Sequence, residues 1–300
     1  MTILRGLGNK LPLAAAVLLL PQLACAGSLK VGSVNTSPVA ETRKFSAFTS
    51  YLARQLQSEG IDGDKVVVAD NIPGMSSLLQ AQQVDLYIDS FFPSMAVSRL
   101  SGSKFLLRRW KGGKSEYQSV IFTRKDSAVA RLEDLKGKLI AFEEPFASTG
   151  YFFPKVVLLE KGFRLTPKRQ GIDAVKADEV GYVFSRGDSN TILLVLNGAT
   201  TAGVTDDQKY LMLAKNLDSF KIIHETASFP RQFVSYRADL PATLVAKIKE
   251  ILLNMHQTDE GKQVLKAFES TTKFEEIPVR DMELAAGLRK HVDAELKLNR

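Results

Sequence analysis

Apolar runs short enough to be strands alternate along this chain with stretches whose apolar residues recur every three or four positions. That alternation restricts the fold more than any other feature. Ser28–Val34 (SLKVGSV) alternates as a strand. Phe45, Phe48, Leu52 and Leu56 then mark one face of a helix, entered through Ser37 as a cap and Pro38 at the first helical position. Lys65–Ala69 (KVVVA) reads as a fully buried strand. Pro73-Gly74 opens a second helix with Met75, Leu78 and Leu79 inward, and Val84–Asp89 (VDLYID) is a third strand. A βαβαβ order requires a parallel sheet with helices on both faces, because parallel neighbours are joined by crossovers. Such sheets bind ligands beyond the carboxyl ends of their strands. Thr36, Ser37, Tyr87, Asp89 and Ser90 fall there.

A second α/β unit follows. Ser115–Arg124 has a long strand pattern, Leu132–Leu135 a short helix closed by Gly137, and Lys138–Phe142 (KLIAF) a further strand before a helix over Tyr151–Leu159. Tyr182–Ser185, Thr200–Val204, Phe220–His224 and Gln232–Arg237 read as strands, and Thr191–Leu196 as an apolar helix. Beyond Pro241 the chain is helical, with Leu244, Ile248, Ile251, Leu252 and Met255 on one face and Leu284, Leu288, Val292 and Leu296 on another. Val120–Thr123 and Gln232–Tyr236 serve as two connecting strands. Residues 27–122 with 235–300 are thereby expected to form a first lobe, and 123–234 a second. Lobes connected twice, with strand ends facing a common cleft, suit hinge closure on a small ligand.

The stretch Ala141–Pro154 (AFEEPFASTGYFFP) carries the chemistry. It places a small-residue turn between a strand and a helix, where the first backbone N–H groups lack intrahelical partners and the helix dipole is positive. Ser148 and Thr149 add hydroxyl donors, and Gly150 lets a ligand oxygen approach the backbone. The plainer role for either hydroxyl is to cap the helix. Ser189 and Asn190 are likewise cap residues that reach a ligand only if closure brings one to them, and Asp206 closes a second-lobe strand. Glu143 and Glu144 are adjacent and point opposite ways, so they are not an acid–base pair. His224, His256 and His291 lack ligand spacing, and no serine has a nucleophile elbow around it. Neither a metal, a cofactor nor catalysis is expected. The basic run Arg108–Lys114 reads as a solvated loop with one buried ring, Trp110.

The N-terminus differs from the rest. Arg5 and Lys10 precede and border a short apolar run, Leu11–Leu20, and Ala24-Cys25-Ala26 has the small–x–small form of a signal-peptidase site. Residues 1–26 are read as a cleaved signal peptide leading to the periplasm. Cys25 also sits where a lipoprotein would be acylated, but Gln22 and Leu23 fit that box poorly, and a soluble mature body is expected. Removing two basic residues lowers the formal charge of +7 to +5. That excess forms no basic block, which argues against nucleic acid and permits steering of an anion.

Tyr117–Arg124, Leu132–Phe142 (LEDLKGKLIAF), Pro145–Pro154 (PFASTGYFFP), Gly187–Gly203 and Asp206 follow in an order that resembles the periplasmic solute-binding proteins of phosphate, phosphite and phosphonate ABC importers, within the type II periplasmic binding protein superfamily. The similarity runs from about Leu29 to Leu265. It implies an α/β, type II periplasmic-binding-protein fold: two α/β lobes joined by two hinge strands. In the family a Ser-Thr-Ser turn holds phosphonate oxygens, and the matching positions here are Ala147, Ser148 and Thr149. The family's ligand-contacting His is matched by Ser189, its first-lobe Tyr by Ser94 and its usual Gly-Pro pair by Ser90-Phe91, whereas its carboxylate is kept as Asp206. The implied role is a non-enzymatic, monomeric receptor, peripheral to the inner membrane, that delivers a small oxyanion to an ABC permease. Loss of the His and Tyr also fits an amino-phosphonate, with Asp89 and Asp206 receiving its ammonium. The alternative partner is a membrane sensor, a kinase or cyclase.

Overall fold

The computed structural model describes residues 27–169, 172–213 and 218–297. The expected signal peptide and Cys25 lie outside the described residues. The first lobe begins with β1 (Gly27–Val34), α1 (Pro38–Gln55), β2 (Ile61–Ala69), α2 (Ile72–Gln80), β3 (Leu86–Ser90), α3 (Phe91–Ser101) and β4 (Lys104–Arg109). The second contains β6 (Ser119–Arg124), β7 (Leu139–Phe142), α4 (Phe153–Glu160), β8 (Leu165–Pro167), β9 (Val180–Phe184), α5 (Asp188–Leu196), β10 (Ala202–Asp206), α6 (Asp207–Leu213) and β11 (Phe220–Glu225). The chain then returns through β13 (Gln232–Tyr236), α7 (Ala242–Asn254), α8 (Asp259–Ala267), β14 (Phe274–Glu275), α9 (Val279–Gly287) and α10 (Arg289–Glu295). Two short strands, β5 (Glu116–Tyr117) and β12 (Phe229–Pro230), lie between the lobes.

Each lobe has one mixed sheet, in the orders β14-β4-β13-β3-β1-β2 and β11-β6-β10-β7-β9-β8. The β2-β1-β3 and β10-β7-β9-β8 neighbours are parallel, as the βαβ reading requires, and the returning β13 pairs antiparallel with β3 and β4. The two chain crossings pair with each other as an antiparallel ribbon, Tyr117 opposite Phe229 and Glu116 opposite Pro230. From hydrophobic alternation alone the crossings are expected at Val120–Thr123 and Gln232–Tyr236, with lobe boundaries at 122/123 and 234/235. Those residues lie within β6 and β13, each of which belongs whole to one sheet. Hydrophobic alternation identifies a strand but not its neighbours, so it cannot separate a sheet strand from a hinge.

Three local expectations also change. Lys65–Ala69 is part of an edge strand whose valines are half-buried, not a fully buried one. The run Ser115–Arg124 divides at Gln118 into β5 and β6. Arg108 and Arg109 are not in a solvated loop. They end β4, buried, with Arg108 bonded to Asp281 at 2.8 Å and Arg109 to Thr271 Oγ1 at 2.9 Å.

The first-lobe core packs Phe45, Phe48, Leu52 and Leu56 of α1 and its C-terminal turn against Ile248, Leu252 and Phe268. A second cluster crosses between the lobes. Phe92 stacks on Phe152 with centroids 4.2 Å apart, Phe91 lies 5.5 Å from Phe153, and Phe153 stacks on Phe229 of the ribbon. Each such pair contributes about 0.5–1.5 kcal/mol beyond area burial. The seam fixes the second-lobe helix α4 against both α3 and the hinge. Among the described residues no helix is long and apolar enough to cross a membrane.

Candidate functional site

Between the lobes lies a cavity of about 320 Å³, formed where the carboxyl ends of both sheets face each other. The first-lobe wall consists of Ser33, Val34 and Asn35 at the end of β1, Asp89 and Ser90 at the end of β3, and Glu41 and Lys44 near the start of α1. Glu41 accepts hydrogen bonds from Ser33 Oγ (2.8 Å), Asn35 Nδ2 (3.0 Å) and Lys44 Nζ (3.0 Å). Asp89 is similarly engaged, accepting from Val34 N (3.1 Å), Ser90 N (2.6 Å) and the Tyr87 hydroxyl (2.9 Å). Burial outweighs those bonds and raises the Asp89 carboxyl to about 6. Glu269 stands beside Lys111 (2.9 Å), Arg109 (3.3 Å) and Lys44 (3.6 Å). Burial works to raise its carboxyl, but Lys111 and Arg109 prevail and hold it near 2.

The second-lobe wall is built on the hydroxyl turn. A helix follows β7 as expected, but it opens with a π-helical turn, Ser148–Phe152, before α4 begins. The wide turn delays the first intrahelical bond to Phe152 N, which donates to Ala147 O at 2.9 Å. The amides that open it have no preceding helical carbonyl to use. Ser148 and Thr149 are buried and line the cavity. Ser148 Oγ accepts a hydrogen bond from Phe92 N, 2.9 Å across the lobe boundary, and the buried Tyr117 hydroxyl stands within reach of its own O–H.

Glu143 and Asp206, at the ends of β7 and β10, and Asp188, the first residue of α5, complete this wall with Lys209. Burial, with Asp188 and Asp206 nearby, raises the Glu143 carboxyl to about 8, so it carries a proton at neutral pH. Asp206 is also raised, mainly by burial, and caps α6 through Lys209 N at 2.8 Å. Asp188 accepts from Thr205 Oγ1 at 2.6 Å. Glu144 points the other way, to Thr36 Oγ1 (3.4 Å) and Arg186 Nη1 (3.0 Å), as expected of adjacent residues.

The hinge supplies the floor: Tyr117, Arg231 and Gln232. Arg231 is 7% exposed, its guanidinium lies 4.9 Å from the centre of the Tyr117 ring, and its Nε and Nη1 are buried without a hydrogen-bond partner. Among the described cleft residues, Lys44 and Lys111 have carboxylate partners, whereas Lys209 and Arg231 have no ion pair.

Of the residues singled out from the sequence, Ser148, Thr149, Asp89, Ser90 and Asp206 come together in this cavity. Gly150 lies behind it, packed on Glu143, where a Cβ would come within 2.5 Å of the Glu143 Cβ. The others lie elsewhere. Tyr87 is fully buried and serves Asp89. Thr36 and Ser37 are exposed, one step beyond the cavity wall at Asn35. Ser189 and Asn190 are exposed in the first turn of α5, which starts at Asp188, and Asn190 Nδ2 donates to Ser185 O. The helix begins earlier than its apolar run suggests, so its first residue faces the cleft. The sequence reading missed Arg231, Lys111, Lys209, Glu143 and Asp188 as cavity residues. Lone charges at strand ends have no spacing signature. The alternation of side chains along a strand, which already separated Glu143 from Glu144, could have pointed to Glu143. Among the described residues no group of three or more His, Cys, Asp or Glu could hold a metal ion.

The family model "ABC transporter, phosphonate, periplasmic substrate-binding protein" matches residues 33–282. The phosphate-import protein PhnD of Mycolicibacterium smegmatis is 28% identical over 217 residues, and the phosphonates-binding periplasmic protein of Escherichia coli 23% over 202. These alignments take in 66% and 63% of this chain but 65% and 56% of the relatives' own lengths. Among solved structures, XAC2383 from Xanthomonas citri, bound to a chloride ion, superposes with a TM-score of 0.85 at 21% identity, covering 90% of this chain and 99% of that one.

Proposed function

Because this chain belongs to the family of periplasmic substrate-binding proteins of phosphonate ABC transporters, we propose that it captures a small tetrahedral oxyanion of the phosphate and phosphonate class between its lobes and delivers it to an importer's permease. The observation that carries this reading is the buried turn of Ser148 and Thr149, whose opening amides use no backbone carbonyl, facing a cavity of about 320 Å³. Charge-assisted hydrogen bonds contribute about 1.5–3 kcal/mol each. Four or five of them reach roughly micromolar affinity after ordering costs. The cavity suits an ion with at most a short substituent, and its buried donors favour a ligand that brings its own negative charge.

A second feature refines the ligand. Asp188 and Asp206 place acidic groups on the wall that holds the hydroxyl turn, beside Glu143, whose carboxyl keeps its proton. They favour an oxyanion carrying an amine over a plain one. Titration calorimetry against phosphate, phosphite, methylphosphonate and 2-aminoethylphosphonate tests both statements. Tightest binding of the aminoalkyl compound supports the refinement, equal binding of all four removes it, and no heat with any of them removes the oxyanion assignment.

A further inference from the structure

We propose that Arg231 is the principal counter-charge for the bound anion, held on the hinge and kept free of protein carboxylates for that purpose. This rests on the oxyanion reading of the cleft and names the residue that dominates it. A buried guanidinium without acceptors is costly, and native proteins rarely leave one unpaired. Arg231 nevertheless buries Nε and Nη1 with no partner while lining the cavity. The surrounding charges explain why this cation is the available one. Lys44 and Lys111 are occupied by Glu41 and Glu269, and Lys209, which also lacks an ion pair, belongs to the second-lobe wall, close enough to Glu143 for its charge to act there. Arg109 and Lys111 stand near enough to Arg231 for their charges to oppose it, with Glu269 as their shared carboxylate. Asp206 feels the Arg231 charge but forms no ion pair with it. The hinge face of the cavity is therefore short of negative charge by the amount an anion would bring.

Its position is well determined. Arg231 follows the ribbon strand β12, its backbone N–H donates to Ser115 O at 2.8 Å, and its guanidinium rests on Tyr117 of the opposite ribbon strand. Both crossings thus hold the guanidinium at the axis about which the lobes would close. There it can meet an anion already bound by the Ser148–Thr149 turn. Cation–π contact with Tyr117 supports the charge without using its N–H donors.

The test compares wild type with Arg231→Met and Arg231→Lys in titration calorimetry with inorganic phosphate and 2-aminoethylphosphonate, together with melting curves without ligand. Arg231→Met should lose at least about 100-fold in affinity, the lower bound for two charge-assisted hydrogen bonds, and Arg231→Lys should recover part of that loss. Without ligand, Arg231→Met should melt at or above the wild-type temperature, because an unpaired buried charge has been removed. A structural role would instead lower it. Wild-type binding with unchanged Arg231→Met affinity, or a ligand-free melting temperature that falls in step with affinity, overturns the proposal while leaving the cleft assignment intact. A wild-type protein that binds neither probe overturns both.

Discussion

Replacing Glu143 with Gln should abolish a slope in stability against pH that the wild-type protein carries. Burial, with Asp188, Asp206 and Glu144 adding to it and Lys209 opposing, raises the Glu143 carboxyl from 4.5 to about 8. Between those values the native side chain keeps a proton that the unfolded chain has released. The native state then binds more protons than the unfolded one, so stability falls as pH rises through the window. Below 4.5 both forms are protonated and above 8 both are ionised, and the slope vanishes at either end. One pK unit corresponds to about 1.4 kcal/mol, so this group costs roughly 2–3 kcal/mol on going from about pH 5 to about pH 7. Gln has nearly the same volume, stays neutral throughout and keeps the contact with Gly150. Guanidinium unfolding of both proteins at about pH 5, 6, 7 and 8 reads the difference directly. The variant should match wild type at the acid end and exceed it by roughly 2–3 kcal/mol at neutral pH. Parallel profiles would refute the claim that Glu143 is held protonated.

Two further substitutions examine the walls of the cleft. Gly150→Ala should cost about 1–3 kcal/mol and weaken anion binding together with stability, because its Cβ would meet the Glu143 Cβ at 2.5 Å and displace the π turn; unchanged melting and affinity would show that the turn tolerates movement. Glu269→Gln should destabilise by about 3 kcal/mol at neutral pH by depriving Lys111 and Arg109 of their carboxylate. Glu269 is depressed to about 2, so its contribution is complete above 4.5 and lost as pH falls through 2. Unfolding curves of wild type and variant should therefore converge in acid, and a constant gap would contradict the assignment.

The βα alternation, the paired lobes and the Ser148–Thr149 turn were legible because each rests on local periodicity or local turn chemistry. Phe45, Phe48, Leu52 and Leu56 announce one buried face and do line one core. The hinge was displaced by a few residues because β6 and β13 look like any strand until their neighbours are known. Thr36 and Ser37 sat too far along the chain: the wall is made by Ser33–Asn35, where β1 ends, and the chain has already turned outward by Thr36. Ser189 and Asn190 lie outside the cavity wall for a related reason, since α5 starts at Asp188 and leaves them exposed. Arg231 was not legible because the lack of a partner for its Nε and Nη1 depends on where every other charge lies.

The contacts that hold the lobes together also explain how a ligand at the turn could govern closure. The turn is fixed at its start by Phe92 N, which reaches across from α3 to Ser148 Oγ, and by Glu143 N, which donates to Gly150 O at 2.9 Å. The helix it leads into is fixed from the first lobe by α10, where Glu295 accepts from Tyr151 (2.8 Å) and pairs with Lys155, and His291 meets Glu160 at 3.2 Å. Separating the lobes breaks the Phe92 and Glu295 contacts together and exposes the Phe92–Phe152 stack to water. Partly exposed ion pairs contribute little each, so the aromatic seam and the Ser148 contact weigh more in this packing of lobe on lobe. Under the proposed reading, an anion that bridged the Ser148–Thr149 turn and the unpaired Arg231 donors would add its binding energy to the arrangement in which both line one cavity.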